Sequence, residues 1–237
     1  MSGHSKWATT HRQKEANDAV RGKLFSKLSK AITIAVKTGG SDSPDSNLTL
    51  RIAIDRARNG NMPKDNIDRA IAKGRGGEAL EQVSYEGFGP FGTSLVILVA
   101  SDNRNRTGQE IKNVLERGGG KLTGLGSVSF NFEPKGLIVV NKKDSSENDI
   151  LTLIDLGVTD VEEKDGEYFA YVETHDLFEM KSKVEAKGFS VSNFELIQKP
   201  KTYQKLTSDQ MERFDGFMKN LESHDDVQRV FSNVASA

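Results

Sequence analysis

Cysteine is absent from the 237-residue chain, which excludes disulfides, iron–sulfur clusters, thiolate zinc sites and a cysteine nucleophile. Long apolar runs are also missing. The longest, Leu95–Ala100, falls far short of the ~20 residues that span a bilayer. The N-terminus has no apolar core of a secretory signal, and Ser2 in place of glycine excludes myristoylation. Together these absences predict a cytoplasmic protein. Hydrophobic residues make up 35% and charged residues 28%, a balance that fits several small cores better than one large core.

Charge nearly cancels over the whole chain, at −1, but not locally. Residues 1–75 hold 15 Lys and Arg against 7 Asp and Glu, a balance of +8, and the remainder carries −9. Such segregation predicts that one region meets a polyanion. It is sharpest over 1–40, where Lys6, Arg12, Lys14, Arg21, Lys23, Lys27, Lys30 and Lys37 are set against Glu15 and Asp18. The alternative is a solvated basic face on a helical bundle.

Residues 1–15 lack an apolar period and read as a polar, basic arm. Val20, Leu24, Leu28, Ile32 and Val36 then recur at every fourth position. That spacing predicts an amphipathic helix over 16–37, ended by Gly39-Gly40. A second helix is predicted over 47–59 and a short third one after Pro63, with Gly74 beyond its end. After Gly74–Gly77 the pattern changes to a strand at 94–101 and a helix at 107–118, its N-cap near Asn105 or Thr107. Val128, Phe130 and Phe132 alternate, predicting a strand over 127–133. Residues 137–198 read β-α-β-β-α-β, the ferredoxin-like order, with a hairpin turn at Asp165-Gly166. A helix at 207–222 and a strand at 226–231 complete a second unit.

The expected fold class is α+β: an N-terminal three-helix domain and two ferredoxin-like α/β domains, one inserted in the other. The expected boundaries are a basic arm over 1–15 and a helical nucleic-acid-binding domain over 16–76. A discontinuous α/β domain takes 77–135 and 200–237, around an inserted domain at 136–199.

Enzymatic motifs fail on inspection. Gly87-Phe88-Gly89-Pro90-Phe91-Gly92 has dinucleotide-loop spacing, but it contains proline and leads into a strand, so a tight turn is expected. Gly118-Gly119-Gly120-Lys121-Leu122-Thr123 lacks the hydroxyl that would hold magnesium, because Leu122 stands there. His4, His11, His175 and His224 show no metal-ligand spacing. No nucleophile, base and orienter stand together. The reading is therefore non-enzymatic, with no cofactor, no metal and no small-molecule substrate.

Three signals remain. The arm carries Trp7, the one tryptophan, among His4, Lys6, His11, Arg12 and Lys14. A base stacked on Trp7, with phosphates neutralised beside it, is one reading; a fold-back of Trp7 onto the helices is the other. Next, Arg21, Lys23, Lys27 and Lys30 include three lysines at spacings of four and three, on one helix side. Like charges so placed call for a counter-surface, which favours a polyanion. Finally, the polar loop Asp102-Asn103-Arg104-Asn105-Arg106-Thr107 reads either as a capped turn or as a phosphate contact through Arg104 and Arg106.

These residues also carry a resemblance. Met1-Ser2-Gly3-His4-Ser5-Lys6-Trp7, Arg21–Leu28, Asn61-Met62-Pro63-Lys64-Asp65-Asn66-Ile67, Tyr85–Pro90 and Asp102–Thr107 appear in this order over nearly the whole chain. The chain is thereby similar to the YebC/PmpR family, which also includes the mitochondrial translational activator of cytochrome oxidase. The resemblance implies three domains and no catalytic residues. It implies DNA-binding transcriptional regulation for bacterial members and a role in translation for mitochondrial ones. Thr9-Thr10 departs from the family pattern where a further basic residue is common, and so does Phe91. With no Arg-rich extension before the first motif, a form that is not imported into an organelle is expected. The candidate nucleic-acid contacts are His4, Lys6, Trp7, His11, Arg12, Lys14, Arg21, Lys23, Lys27, Lys30, Lys64, Arg104 and Arg106. The expected partner is DNA, with rRNA or mRNA on the ribosome as the rival and a protein-interaction scaffold as a third class. No helix-turn-helix is evident, because the Gly39–Ser46 linker is too long for its turn.

Overall fold

The computed structural model describes residues 3–77, 79–142, 146–164 and 166–235, with side chains from residue 20 in the first helix and from residue 148 in the fifth. Three helices come first: α1 (Gly3–Thr38), α2 (Leu48–Asn59) and α3 (Lys64–Arg75). The apolar stripe of α1 is buried from Leu28 through Ile32, Ala35 and Val36. It packs against Leu50, Ala53, Ile54 and Ala57 of α2 and against Met62, Ile67 and Ala70. Full burial of Ile32 and of Leu50 contributes about 1.5–3 kcal/mol each. Asn47 caps α2 by accepting the Leu50 N–H at 3.0 Å, and its amide donates to the carbonyls of Ala35 at 2.8 Å and Ser41 at 2.6 Å. One buried side chain thus starts α2 and pins it to the end of α1. The outer edge of α2 points elsewhere: Leu48 and Ile52 join the core of a later sheet, and Arg51 lies 4.8 Å over the Phe178 ring.

The remaining elements are β1 (Glu81–Phe88), β2 (Ser94–Ser101), α4 (Arg104–Arg117), β3 (Lys121–Thr123), β4 (Phe132–Asn141), α5 (Ser146–Asp155), β5 (Asp160–Lys164), β6 (Glu167–Val172), α6 (Leu177–Ala186), β7 (Val191–Pro200), α7 (Ser208–Glu222) and β8 (Val227–Ser232). They form two antiparallel four-stranded sheets, ordered β3-β1-β2-β8 and β5-β6-β4-β7. In the first, α4 and α7 cover one face through Ile111, Leu115, Phe214, Phe217 and Leu221. In the second, Leu153, Leu177, Met180 and Val184 cover Ile138, Val140, Tyr168 and Ala170. The second sheet has the β-α-β-β-α-β order and lies within the sequence span of the first. Its two ends meet, with the Lys201 N–H donating to the Asn131 carbonyl at 2.7 Å.

Several sequence expectations need correction. The stretch read as an arm is helical from Gly3. Residues 4–21 contain no proline or glycine, and propensity alone continues a helix that needs no stripe there. Helix α4 starts at Arg104, because Asn103, rather than Asn105 or Thr107, accepts the Arg106 N–H at 3.1 Å. The expected strand over 127–133 is a 3-10 turn at Ser129–Asn131 leading into β4. Val128 and Phe132 are buried there, but Phe130 is 65% exposed, so the apparent alternation is not that of a strand. Strand β3 takes the expected place of that segment. β1, with its polar residues and Gly87, escaped the apolar pattern. Of the predicted hairpin turn, Asp165 lies outside the described residues, and Gly166 has φ +82.

Gly74 also differs: it lies inside α3 and not beyond it. A Cβ there would sit 2.6 Å from Val36 Cβ and 3.0 Å from the Thr33 carbonyl. The glycine is what lets α3 lie against α1. Gly74→Ala is therefore expected to destabilise the protein by about 1–3 kcal/mol through overpacking, despite alanine's better helix propensity. A thermal melt at or above the unmodified value would refute this.

Candidate nucleic-acid interface

The first half of α1 holds His4, Lys6, Trp7, His11, Arg12 and Lys14 on helical backbone, and their side chains lie outside the described part. Beyond them, Val20 is 70% and Leu24 45% exposed. The apolar stripe is thus uncovered before Leu28, and α1 extends past the core of its own bundle.

Lys23, Lys27 and Lys30 do share one side of α1, and the counter-charge they call for is supplied within the chain. Lys27 Nζ donates to the carbonyl of Glu222 and, at 2.8 Å, to that of Val227. Lys30 Nζ donates to Asp226 Oδ1 at 2.6 Å and to the Asp225 carbonyl at 3.3 Å. Lys23 stays exposed, its ammonium 3.9 Å from Asp225. The acceptors sit where α7 ends, so the negative end of the helix dipole and two aspartates converge on one lysine face. Burial pushes the Lys27 ammonium below the usual lysine range, against the pull of Glu222 and Asp225. Lys27 and Lys30 therefore act here as docking residues between α1 and the α7–β8 turn.

Asp226 is the hub of this contact. Its carboxylate is buried and accepts from Lys30, from Thr107 Oγ1 at 2.6 Å and from Arg106 at 3.3 Å. Burial alone would push Asp226 up, but the hydrogen bonds from Lys30, Thr107 and Arg106 outweigh it and bring the carboxyl down to about 2. Behind Thr107, the Asn103 N–H donates to Ser101 Oγ at 2.9 Å, and the Ser101 and Thr107 hydroxyls lie 2.7 Å apart. With Thr107 donating to Asp226, Ser101 donates to Thr107. Arg106 also pairs with Asp102 at 2.7 Å. The Asp102–Thr107 loop is thus a capped turn that orients Arg106 toward Asp226. Arg104 is exposed beside it, its carbonyl accepting the Tyr85 hydroxyl at 2.7 Å. Lys64 is exposed at the start of α3, and Lys73, nearer the other end of that helix, lines a cleft beside the hub.

Two clefts open beside the hub. One of about 300 Å³ is lined by Ser26, Lys30, Lys73 and Arg106, and one of about 670 Å³ by Lys23, Arg106, Arg117 and His224. Glu110, His224 and Asp226 place donor atoms within 4.8 Å of one another. Those donors are already engaged. The Asp226 N–H bonds His224 Nδ1 at 3.1 Å, so Nε2 carries the proton that faces Glu110 at 3.0 Å. Sequence reasoning missed Asp226. The signal was there: two adjacent aspartates just past a helix C-terminus are unfavourable unless cations meet them.

Residues 5–77 match the family model described as the TACO1/YebC protein N-terminal domain, and residues 80–234 match the TACO1/YebC second and third domain. A relative from Thermoanaerobacter pseudethanolicus, named a probable transcriptional regulatory protein, is 42% identical over 99% of this chain and 97% of its own. Another of that name, from Chlorobaculum tepidum, is 44% identical over 99% of this chain and 95% of its own. The crystal structure of a conserved hypothetical protein from Aquifex aeolicus, 38% identical, superposes with a TM-score of 0.82 over 92% of this chain and 91% of that one.

The hub carries a pH signature. A carboxyl held down near 2 stabilises the fold fully above the ordinary carboxylate range, and that stabilisation is lost as pH falls toward 2. Asp226→Asn should lower stability at neutral pH by about 1–3 kcal/mol, leaving the buried Thr107 hydroxyl and the Lys30 ammonium poorly matched. It should also flatten the acid limb of the stability curve. A variant whose denaturation midpoints match the parent from neutral pH to acid would contradict the hub.

Proposed function

The chain belongs to the TACO1/YebC family, and from that premise we propose that it is a non-enzymatic, nucleic-acid-binding regulator of gene expression that grips phosphate through the first two-thirds of α1. The observation that carries this reading is the extension of a basic helix past its bundle. Residues 3–24 span about 33 Å at 1.5 Å per residue. Lys6, Arg12, Lys14, Arg21 and Lys23 lie along that length, and Trp7 near its start offers a ring for stacking. Lys27 and Lys30 belong to the docking contact and set the angle at which this helix leaves the body.

The relatives' names favour DNA and transcription. A second reading, RNA on the ribosome, is favoured by the balance of −9 beyond residue 75, which would repel a duplex laid across the whole molecule. Sedimentation of lysate at low and high salt separates the two. Co-migration with ribosomes supports translation, whereas a free protein that retards promoter fragments supports transcription.

Replacing Lys6, Arg12, Lys14 and Arg21 together by glutamine should weaken binding to all sequences alike. It should flatten the logarithmic salt dependence by roughly three to four units on duplex DNA. Trp7 should report the same event by a fluorescence shift. Unchanged affinity in a variant with native circular dichroism would refute the role given to α1.

A further inference from the structure

The second feature unexplained by the docking of α1 lies on the first sheet. Glu86, 4% exposed, faces away from α4 and α7 and accepts three backbone N–H groups from one loop. They come from Gly126 at 2.8 Å, Val128 at 2.8 Å and Ser129 at 3.0 Å. Burial pushes this carboxyl up, and the three backbone donors outweigh it and hold it below the usual carboxylate range. Val128 and Phe132 anchor the same segment by packing with Val96, Leu98 and Phe231. With its base fixed on both counts, the loop holds Leu125 72% and Phe130 65% exposed. A Cβ built on Gly124 or Gly126 would meet nothing within 4 Å, so the space beside Leu125 is open.

The charge around this loop is unlike the rest of the acidic half. Residues 117–132 contain Arg117 and Lys121 and no carboxylate; residues 196–208 contain none either, and of their three lysines Lys199 is buried and paired with Asp160 and Glu162, which leaves Lys201 and Lys205. The Lys201–Asn131 backbone bond joins the two segments. An aromatic ring held exposed, with Lys121 and Lys201 in the flanking chain and the Glu86 carboxylate already taken up by the loop's own N–H groups, suits a base with its phosphate, since every base has a face to stack and every phosphate needs a cation.

We propose that the 124–131 loop is a second contact for nucleic acid, in which Phe130 and Leu125 take unpaired bases and Lys121 and Lys201 take the adjoining phosphates. The assignment rests on the nucleic-acid reading above and narrows its ligand to a strand with unpaired nucleotides. Glu86 is a positioning residue: it holds the loop and touches no ligand.

The test uses the full chain, a short labelled oligouridylate and a duplex DNA of equal length. Phe130→Ala should weaken oligouridylate binding by roughly tenfold or more and leave duplex binding unchanged. Lys121→Gln with Lys201→Gln should reduce the salt dependence on the single strand by about 0.7 per lysine. Glu86→Gln should reproduce the Phe130→Ala loss with native circular dichroism retained and the thermal melt lowered; should that variant fail to fold, Leu125→Ala, a surface change, tests the same site. Undiminished oligouridylate binding by Phe130→Ala and Leu125→Ala, alongside loss in the α1 variant, would overturn the loop assignment and leave the α1 reading standing. Equal weakening on both probes would also overturn it. An unmodified chain that binds neither probe at low salt would overturn both readings.

Discussion

The carboxylate of Asp226 carries more of this architecture than its size suggests. It stands at the start of β8 and faces α1 and α4, each of which supplies a donor. Lys30 reaches it from the helical bundle, Thr107 and Arg106 from the first turn of α4. A buried anion of this kind is tolerated only when its lone pairs are filled. The three elements must therefore hold their places together, and removal of any donor leaves the charge poorly compensated. The lysine face of α1, the cap at Asn103 and the end of α7 are consequences of one requirement.

That requirement divides the basic residues of α1 up to Lys30 into two groups. Lys27 and Lys30 meet carbonyls and a carboxylate and fix the helix to the first sheet. The basic positions before them lie on the stretch that leaves the bundle, where Val20 and Leu24 are uncovered. A single amphipathic pattern along α1 thus has two meanings, one internal and one directed outward, and the change falls at about Leu24–Leu28.

The helices and the β-α-β-β-α-β sheet were legible because their information is local. Leu28, Ile32 and Val36 recur with the helical period, and Gly166, with its positive φ, lies between two short strands. What escaped was non-local or weakly patterned. Lys27 and Glu222 are 195 positions apart, and no spacing rule joins them. Glu86 sits in a strand with polar and glycine neighbours, and its meaning depends on a loop some 40 residues later. Phe130 fitted the strand period by coincidence, since its neighbours Val128 and Phe132 are buried on the open face of the first sheet while it is not. Gly74 was read as a terminator, because sequence cannot tell a glycine that ends a helix from one that lets two helices approach.

Helix α2 has a consequence for the mechanics of the molecule. One of its sides is built into the three-helix core through Leu50 and Ala57, and the other into the second sheet through Ile52, with Arg51 over Phe178. The helical bundle is therefore gripped twice, by the first sheet through the lysine face and by the second through α2. The root of α1 is thereby held against the first sheet directly and against the second through α2. A partner that engaged both α1 and one of the sheets would meet them at the spacing these two contacts set.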